Sequence, residues 1–332
     1  MSATAIKRVE FDIDKIKTQK EDELFYFVDN NTVLSERITA PRYSYWRSVF
    51  RIFFKNKLNW IILFILFMLI VFALVVPLAL PYVENENVTK LDWKNLTPWE
   101  AFSTIGSDIK WLFGTDVRGN SVFVCLWSAL RTSLALSLIC AAINMTIGIA
   151  IGALWGYSKV LDGIFNVIYN IVGNVPYILL ISIIVRIMSA GFWSLVFALT
   201  ITGWLGIAYF FRNQVLIIRD REYNLASRCL GTNIFRIVGK NVLPYLTSVI
   251  VTLLAVEIPS YISYEVFLGY IGIGLPPGVP SIGQMIADGQ DGWTSFPWPF
   301  WVPVAASSIL AISLYVMGQN LADASDPRSH MQ

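Results

Sequence analysis

The sequence predicts an all-α polytopic membrane protein with six transmembrane helices and with both termini in the cytoplasm. Of its 332 residues, 55% are hydrophobic and only 14% are charged, whereas a soluble protein is about a quarter charged. Apolar stretches long enough to cross about 30 Å of hydrocarbon recur along the chain. Lysine and arginine are concentrated in a few segments between these stretches, and such segments stay on the cytoplasmic side of a membrane.

The first 82 residues predict a cytoplasmic tail, an interfacial helix and a first span. Residues 1–41 mix acids and bases with few long apolar runs. Residues 42–57 contain five bases and no acid, and their apolar side chains recur at helical spacing at Trp46, Val49, Phe50, Phe53 and Phe54. This pattern is typical of an amphipathic helix on the inner leaflet. Residues 58–82 are almost uniformly apolar and predict transmembrane helix 1.

The remainder predicts an exterior segment, a core of five helices and a short tail. Residues 83–124 contain six acids and four bases and are expected outside. The core covers residues 125–320, with spans at about residues 127–157, 163–188, 191–211, 246–270 and 300–319. Residues 271–299, between the last two spans, are expected outside. Residues 321–332 are expected to form a cytoplasmic tail.

Polar side chains within the spans are candidates for a translocation pathway, because they must face protein or water rather than lipid. Asn166, Asn170 and Asn174 recur every four residues in the third span. They predict hydrogen bonds between helices, contact with a substrate, or both. Glu257 and Glu265 lie eight residues apart, close to two helical turns, and so share one face of the fifth span. They either bond a neighbouring helix or line a cavity and receive a cationic group.

The longest polar interval in the second half of the chain is residues 212–244. It contains six basic residues and two acids, which places it in the cytoplasm. Its pattern predicts a helix that opens at Glu222, a break at Gly231, and a second helix that ends at Leu243 and Pro244. A helix–glycine–helix unit across the cytoplasmic face is suited to docking a protein outside the membrane. A solvated basic loop that only sets topology is the alternative.

This interval resembles the EAA loop of ATP-binding-cassette (ABC) importer permeases. That pattern reads E-A-A, three residues, G, nine residues, I, one residue and L-P. Four positions match it: Ala226, Gly231, Leu243 and Pro244. Three positions depart from it: Leu225, Ser227 and Asn241 stand where the pattern has Glu, the second Ala and Ile.

Three further segments resemble elements of the oligopeptide and dipeptide subgroup of these permeases. They are FGTDVRGNSVF at residues 113–123, the glycine- and proline-rich residues 272–289, and LADASDPR at residues 321–328. The first departs from the subgroup's GTDxxGRD element at Asn120 and Ser121. Because all these segments occur in the family's order, the chain is identified as a member of the OppC/DppC family. Its likeness is greatest to oligopeptide permeases of the OppC/AmiD type from Gram-positive bacteria.

The resemblance implies a type I ABC importer permease in the plasma membrane of a bacterium, acting as a transmembrane subunit of an ATP-driven oligopeptide importer. It implies four kinds of partner: a homologous second permease (OppB/AmiC-like), two cytoplasmic ABC ATPases (OppD/OppF-like) that bind ATP and Mg, an extracellular peptide-binding lipoprotein, and the oligopeptide itself. The loop residues that it implies in coupling to the ATPases are Glu222, Tyr223, Leu225, Ala226, Ser227, Arg228, Gly231, Leu243 and Pro244.

Other functions stay open at this stage. The sequence has no GxxxxGK[ST] phosphate-binding motif and no visible catalytic set, so we expect no enzyme activity, cofactor or metal in this chain, and no nucleic acid as a partner. Related permeases carry dipeptides, nickel chelates or glutathione. An ion-coupled secondary transporter would place carboxylates or broken helices at mid-membrane. A receptor or scaffold would not need the coupling loop.

Overall fold

The structure, a computed structural model, describes residues 45–83, 90–276 and 278–325. Within these ranges it is largely helical and has no β-strand beyond a single bridge between Thr115 and Ser121. The helices are α1 (Tyr45–Lys55), α2 (Lys57–Ala79), α3 (Pro98–Thr104), α4 (Val122–Tyr157), α5 (Lys159–Gly173), α6 (Tyr177–Met188), α7 (Phe192–Ile201), α8 (Gly203–Arg219), α9 (Glu222–Cys229), α10 (Ile234–Ile237), α11 (Leu243–Tyr245), α12 (Thr247–Tyr270), α13 (Ile282–Gly289) and α14 (Trp298–Ser325), with a π-helical segment at Val238–Val242. The predicted tail at residues 1–41 lies outside the described residues, as do residues 326–332 of the predicted C-terminal tail.

Five helical runs are long and apolar enough to cross a membrane: α2, α4, α7 with α8, α12 and α14. Helices α5 and α6 qualify only as a pair, bent by 81°. The third span predicted at residues 163–188 is therefore a bent pair of helices and not one continuous helix. Pro176 lies at the break, and it has no backbone N–H to continue a helix. Helix α4 also begins earlier than predicted, because Ser121 caps it by accepting a hydrogen bond from the Val124 N–H at 3.2 Å.

The packing of α4 on α8 determines how many times the chain crosses the membrane. Three glycines of α4 contact α8, and the residue numbers rise together along both helices: Gly148 lies at Ile207, Gly152 at Ala208, and Gly156 at Val215. The two helices are therefore parallel, so the chain between them must return across the bundle. Only the bent pair of α5 and α6 is available for part of that return on the way to α7. The pair counts as one crossing, which makes the total six, as predicted.

The first and last helices meet at one end of the bundle. Val49 and Phe53 of α1 are buried against Ala324 near the end of α14. Asn320 of α14 donates a hydrogen bond of 2.6 Å to the side chain of Asn59, at the start of α2. The beginning of the first span and the end of the last span therefore lie on the same side, which an even number of crossings requires.

Helix α1 has two apolar surfaces. Val49 and Phe53 face α14, whereas Trp46, Phe50 and Phe54 are 39–50% exposed. Asn56 separates α1 from α2 by accepting a hydrogen bond from the Leu58 N–H at 3.0 Å. The exposed aromatic rings and the basic side chains agree with the predicted amphipathic helix at residues 42–57, of which the structure describes residues from 45 onward.

At the opposite end, a small layer covers the mouth of the bundle. Asp116 accepts hydrogen bonds of 2.8 Å from the backbone N–H groups of Arg118 and Asn120, which closes a tight turn. Burial raises the pKa of Asp116 above its usual range, although these bonds oppose the shift. Arg118 then pairs with Asp288 of α13 at 3.3 Å. The predicted GTD element is thus tied to the segment that precedes the last span.

We predict that Gly152→Ala destabilises the subunit by about 1–3 kcal/mol, because overpacking forces backbone shifts. A Cβ at this position would overlap the backbone of Ala208. The matched control is Gly206→Ala on α8, where a Cβ meets nothing within 4 Å. That change should be neutral or stabilising by up to about 1 kcal/mol, since alanine favours helix. Thermal unfolding of both variants in detergent checks this; equal midpoints would contradict the close packing.

We also predict the orientation of the bundle. Cys229 is exposed, whereas Cys125 and Cys140 are buried. In intact cells, an impermeant maleimide should not label Cys229 of the Cys125→Ala/Cys140→Ala variant until the membrane is permeabilised. A variant that lacks all three native cysteines and carries Asp291→Cys should be labelled at once. The reversed pattern would overturn the predicted cytoplasmic position of both termini.

Candidate functional site

The candidate coupling segment begins where α8 ends and turns sharply into α9. Asn224 fixes this turn, because its side chain is fully buried and donates a hydrogen bond of 3.0 Å to the carbonyl of Ile218. Its side-chain oxygen accepts a bond of 3.1 Å from Asn241 in the π-helical segment. Asn224 therefore joins α9 to both α8 and the returning chain. Sequence reasoning missed this residue; the only signal was a short polar side chain on the inward face of a short helix.

Gly231 terminates α9 as predicted. Its φ is +77°, a conformation that glycine adopts without a Cβ penalty. The N–H of Thr232 bonds the carbonyl of Ser227 at 3.1 Å, and the N–H of Gly231 bonds that of Arg228 at 3.0 Å. These two bonds form a Schellman motif, which satisfies the last carbonyls of the helix. The end of α9 is therefore specified locally by one glycine.

The second half of the segment differs from the prediction. The structure does not end it at Leu243 and Pro244: these residues open the short helix α11, and the break follows at Leu246, before α12. Proline is tolerated there because the first turn of a helix does not need its missing N–H. Asn241, one of the departures from the EAA pattern, points at Asn224 and also lies 3.5 Å from the hydroxyl of Ser227, another departure. The two departures thus compensate each other with a polar contact.

The predicted coupling residues fall into two groups. Ser227 and Leu243 are partly buried and hold the segment together. The others are exposed: Glu222, Tyr223, Leu225, Ala226, Arg228, Gly231 and Pro244. The same surface also presents Leu230, 85% exposed, and Phe235, 70% exposed, neither of which the sequence analysis singled out. With Leu225 they form the exposed patch of this segment, and large exposed apolar patches are typical of interaction surfaces.

A charged pair connects this segment to the bent helix pair. Arg212 of α8 bonds Asp162 of α5 through two nitrogens, at 2.7 and 3.0 Å. Asp162 also accepts bonds of 2.9 Å from the indole N–H of Trp155 and 2.8 Å from Asn166. A bidentate arginine–carboxylate pair is geometrically specific. The pair therefore holds the ends of α4, α5 and α8 together on the side where the coupling segment lies.

Among the described residues, the asparagine stripe bonds only within α5 and at its end, so hydrogen bonds between helices stay a prediction for it. Asn166 bonds Asp162 of its own helix, and Asn174 donates to the carbonyl of Asn170, also within α5 or at its end. Asn170 and Asn174 are exposed. In the described residues the stripe therefore stabilises α5 locally and leaves polar groups at the break before α6. Contact with a substrate stays a prediction.

The two carboxylates of α12 have different surroundings. Glu265 is fully buried and accepts a hydrogen bond of 2.6 Å from Ser133 of α4. The same hydroxyl of Ser133 accepts a bond from the N–H of Ile282, in the first turn of α13, at 3.4 Å. Glu265 thus helps to position the outer helix α13 and exposes no surface here. Glu257 is only half-buried and interacts with the hydroxyl of Tyr261 on its own helix. A pathway role stays a prediction for both.

Comparison with known proteins identifies the family. The family model described as binding-protein-dependent transport system inner membrane component matches residues 148–329. The chain belongs to this family. A second model, the N-terminal transmembrane domain of oligopeptide transport permease C, matches residues 44–98 of the permease. The predicted membership of the OppC/DppC family of ABC importer permeases is therefore confirmed, as is the multi-pass location in the cell membrane.

Curated relatives align with nearly the whole permease. It is 42% identical to the oligopeptide transport system permease protein AmiD of Streptococcus pneumoniae, over 93% of this chain and 98% of that protein. It is 33% identical to the dipeptide transport system permease protein DppC of Bacillus subtilis, over 93% and 94% of the two chains. It is 30% identical to the oligopeptide transport system permease protein OppC of the same species, over 89% and 93%.

Gly231 supplies a direct test of the coupling segment in the permease. We predict that Gly231→Val leaves the subunit in the membrane but strongly reduces peptide uptake, because a β-branched residue is strained at positive φ. Gly231→Asn is the matched control, since asparagine tolerates this conformation, and it should retain most of the uptake. Uptake of labelled peptide at equal expression checks both. Normal uptake by Gly231→Val would contradict the coupling role.

Proposed function

We propose that this permease is a membrane subunit of an ATP-driven oligopeptide importer and couples to cytoplasmic ATPases through α9 and Gly231. The observation that carries the proposal is the exposed patch on this unit, fixed to α8 by the buried side chain of Asn224. Family membership supports the import of peptides. The 42% identity to a protein named as an oligopeptide permease favours oligopeptides over dipeptides, nickel chelates or glutathione.

The packing of the inner end explains how force on α9 reaches the spans. Asn224 joins α9 to α8, and α8 lies against the glycines of α4 with almost no space between the backbones. Arg212 and Asp162 extend the same unit to α5. When an ATPase pair closes, movement of α9 is expected to displace α8, α4 and α5 together. Helix α7 belongs to the same span as α8, with one irregular residue at Thr202, so the movement is expected to reach it as well.

The proposed partners follow from what this chain lacks by itself. ATP and Mg are assigned to two cytoplasmic ATPases, since the sequence has no phosphate-binding motif of its own. A peptide carries charged termini, whose transfer through hydrocarbon is costly. A polar cavity shared with a homologous second permease is therefore required. An extracellular lipoprotein would deliver peptide to the outer layer around Arg118 and Asp288.

A secondary transporter is the second candidate, because the structure does contain the broken helices that such proteins use. The break lies at residues 174–176, between α5 and α6. Family membership argues against this class, and so does the well-built cytoplasmic unit at Gly231. An ion gradient without ATP should not drive uptake by the purified complex in vesicles.

The exposed patch can be tested by its association with the ATPases. We predict that Leu230→Ser combined with Phe235→Ser lowers the amount of co-purifying ATPase about tenfold or more, because apolar anchors dominate protein interfaces. Leu91→Ser is the matched control: Leu91 is 74% exposed but lies in the predicted exterior segment. It should leave the ATPases bound. Equal retention of ATPase by both variants would refute the docking surface.

A further inference from the structure

A polar network crosses the middle of the bundle at the break between α7 and α8. In the last turn of α7, the carbonyl of Leu199 accepts two side-chain hydrogen bonds, of 3.2 Å from Asn144 and 2.7 Å from the hydroxyl of Tyr177. Asn144 is fully buried in α4, and Tyr177 is the first residue of α6. The final carbonyls of a helix have no partner within that helix. These two side chains supply partners from two other helices.

The network continues to Glu257. The amide of Asn144 also donates to the hydroxyl of Tyr261 at 2.7 Å, so the hydroxyl hydrogen of Tyr261 remains available for the carboxylate of Glu257. Hydrogen bonds therefore run from Tyr261 through Asn144 to Leu199, and Glu257 lies one helical turn before Tyr261 on α12. At one end of this network lies a half-buried carboxylate, and at the other end lies the junction between α7 and α8.

Two tyrosines share a face of α12 with the carboxylate of Glu257, and a third tyrosine packs against them. Glu257, Tyr261 and Tyr264 follow one another at positions i, i+4 and i+7, which lie on one face of a helix. The ring of Tyr264 is 5.2 Å from that of Tyr177 and 6.2 Å from that of Tyr261, in edge-on arrangements. A carboxylate beside several tyrosine rings is a favourable site for a compact organic cation, since the ring faces attract positive charge.

The carboxylate lacks a cation of its own. An acidic side chain within a membrane span is costly unless it is paired or faces water. Among the described residues, no lysine or arginine forms an ion pair with Glu257. The side-chain oxygen of Asn144 also has no donor, although it is buried. Unlike Glu265, which is enclosed, Glu257 retains exposed surface and can accept a donor from outside the chain.

We propose that Glu257, Tyr261, Tyr264 and Tyr177 form a subsite for a primary ammonium group of the transported peptide. This inference rests on the proposed function. A primary ammonium has three N–H donors, which one carboxylate and the neighbouring hydroxyls can accept. A divalent metal is a poorer match, because the described residues hold no group of three or more metal-ligating side chains. Both the free N-terminus and a lysine side chain offer this chemistry.

Hydrogen bonds also connect the subsite to the junction between α7 and α8, the helix that leads to the coupling segment. Binding of an ammonium draws on the same carboxylate that Tyr261 contacts, and Tyr261 shares Asn144 with the carbonyl of Leu199. That carbonyl lies in the last turn of α7, just before the irregular residue Thr202 that joins α7 to α8. Occupancy of the subsite thereby changes the hydrogen bonds that hold the break leading to the coupling segment.

The test compares Glu257→Gln with the native permease in the complete complex, reconstituted in vesicles with its binding protein and ATPases. Three matched peptides are used: one with a free N-terminus and no lysine, the same peptide N-acetylated, and the N-acetylated peptide with one lysine. The readout is ATP-dependent uptake, expressed for each peptide as the ratio of variant to native. Selection by the binding protein cancels in this ratio. Ser260→Ala, one turn away on α12, is the control.

We expect Glu257→Gln to lower uptake of the peptide with a free N-terminus about tenfold more than that of the N-acetylated, lysine-free peptide, as loss of a charge-assisted bond predicts. If uptake of the acetylated lysine peptide falls as much as uptake of the peptide with a free N-terminus, the subsite accepts any primary ammonium. If uptake of the acetylated lysine peptide falls no more than that of the lysine-free acetylated peptide, the subsite accepts the N-terminus alone. Equal ratios for all three peptides would overturn the subsite.

A second variant decides the matter if Glu257→Gln fails to assemble. Tyr264→Leu removes a ring of the subsite and keeps the carboxylate, and it should produce the same selectivity with a smaller loss. Equal effects on free and acetylated peptides would again overturn the inference. Failure of the native complex to take up any peptide with ATP would instead contradict the proposed function, so the two failures are distinguishable.

Discussion

The close contact between α4 and α8 is the constraint on which the rest of the architecture depends. Small residues let two helices approach until their backbones touch, and Gly148, Gly152 and Gly156 do this in ascending order along α8. Parallel packing forces the intervening chain back across the bundle and thereby fixes six crossings. It also places the C-terminal ends of α4 and α8 together, and the coupling segment starts from that point.

Buried polar side chains give this bundle its specific arrangement. Asp162 receives four hydrogen bonds from side chains of three helices, if both from Arg212 are counted. Asn224 and Glu265 likewise connect short helices to long ones at opposite ends of the molecule. In an apolar environment an unsatisfied polar group is costly, so each of these contacts selects one geometry. Glu257 differs from them because its surroundings leave room for a partner from outside.

The sequence predicted the features that depend on composition and local chemistry. Apolar length identified the spans, and glycine at the end of a short helix identified the reversal at Gly231. It could not predict the bend at Pro176, because proline occurs both in kinked helices and in broken ones and neighbouring helices decide which. It also missed Asn224 and the separate surroundings of Glu257 and Glu265. Eight residues of helical spacing set a shared direction, but Ser133, which bonds only Glu265, lies 132 residues away in the sequence.

The proposed contact between α9 and an ATPase can be measured directly in living cells. A photo-reactive amino acid would replace Leu225, which is 43% exposed on α9, and the cells would be illuminated while they take up peptide. If α9 docks an ATPase, a covalent adduct forms between this subunit and a nucleotide-binding subunit. In cells that still import peptide, adducts with lipid or other proteins but never with a nucleotide-binding subunit would contradict it.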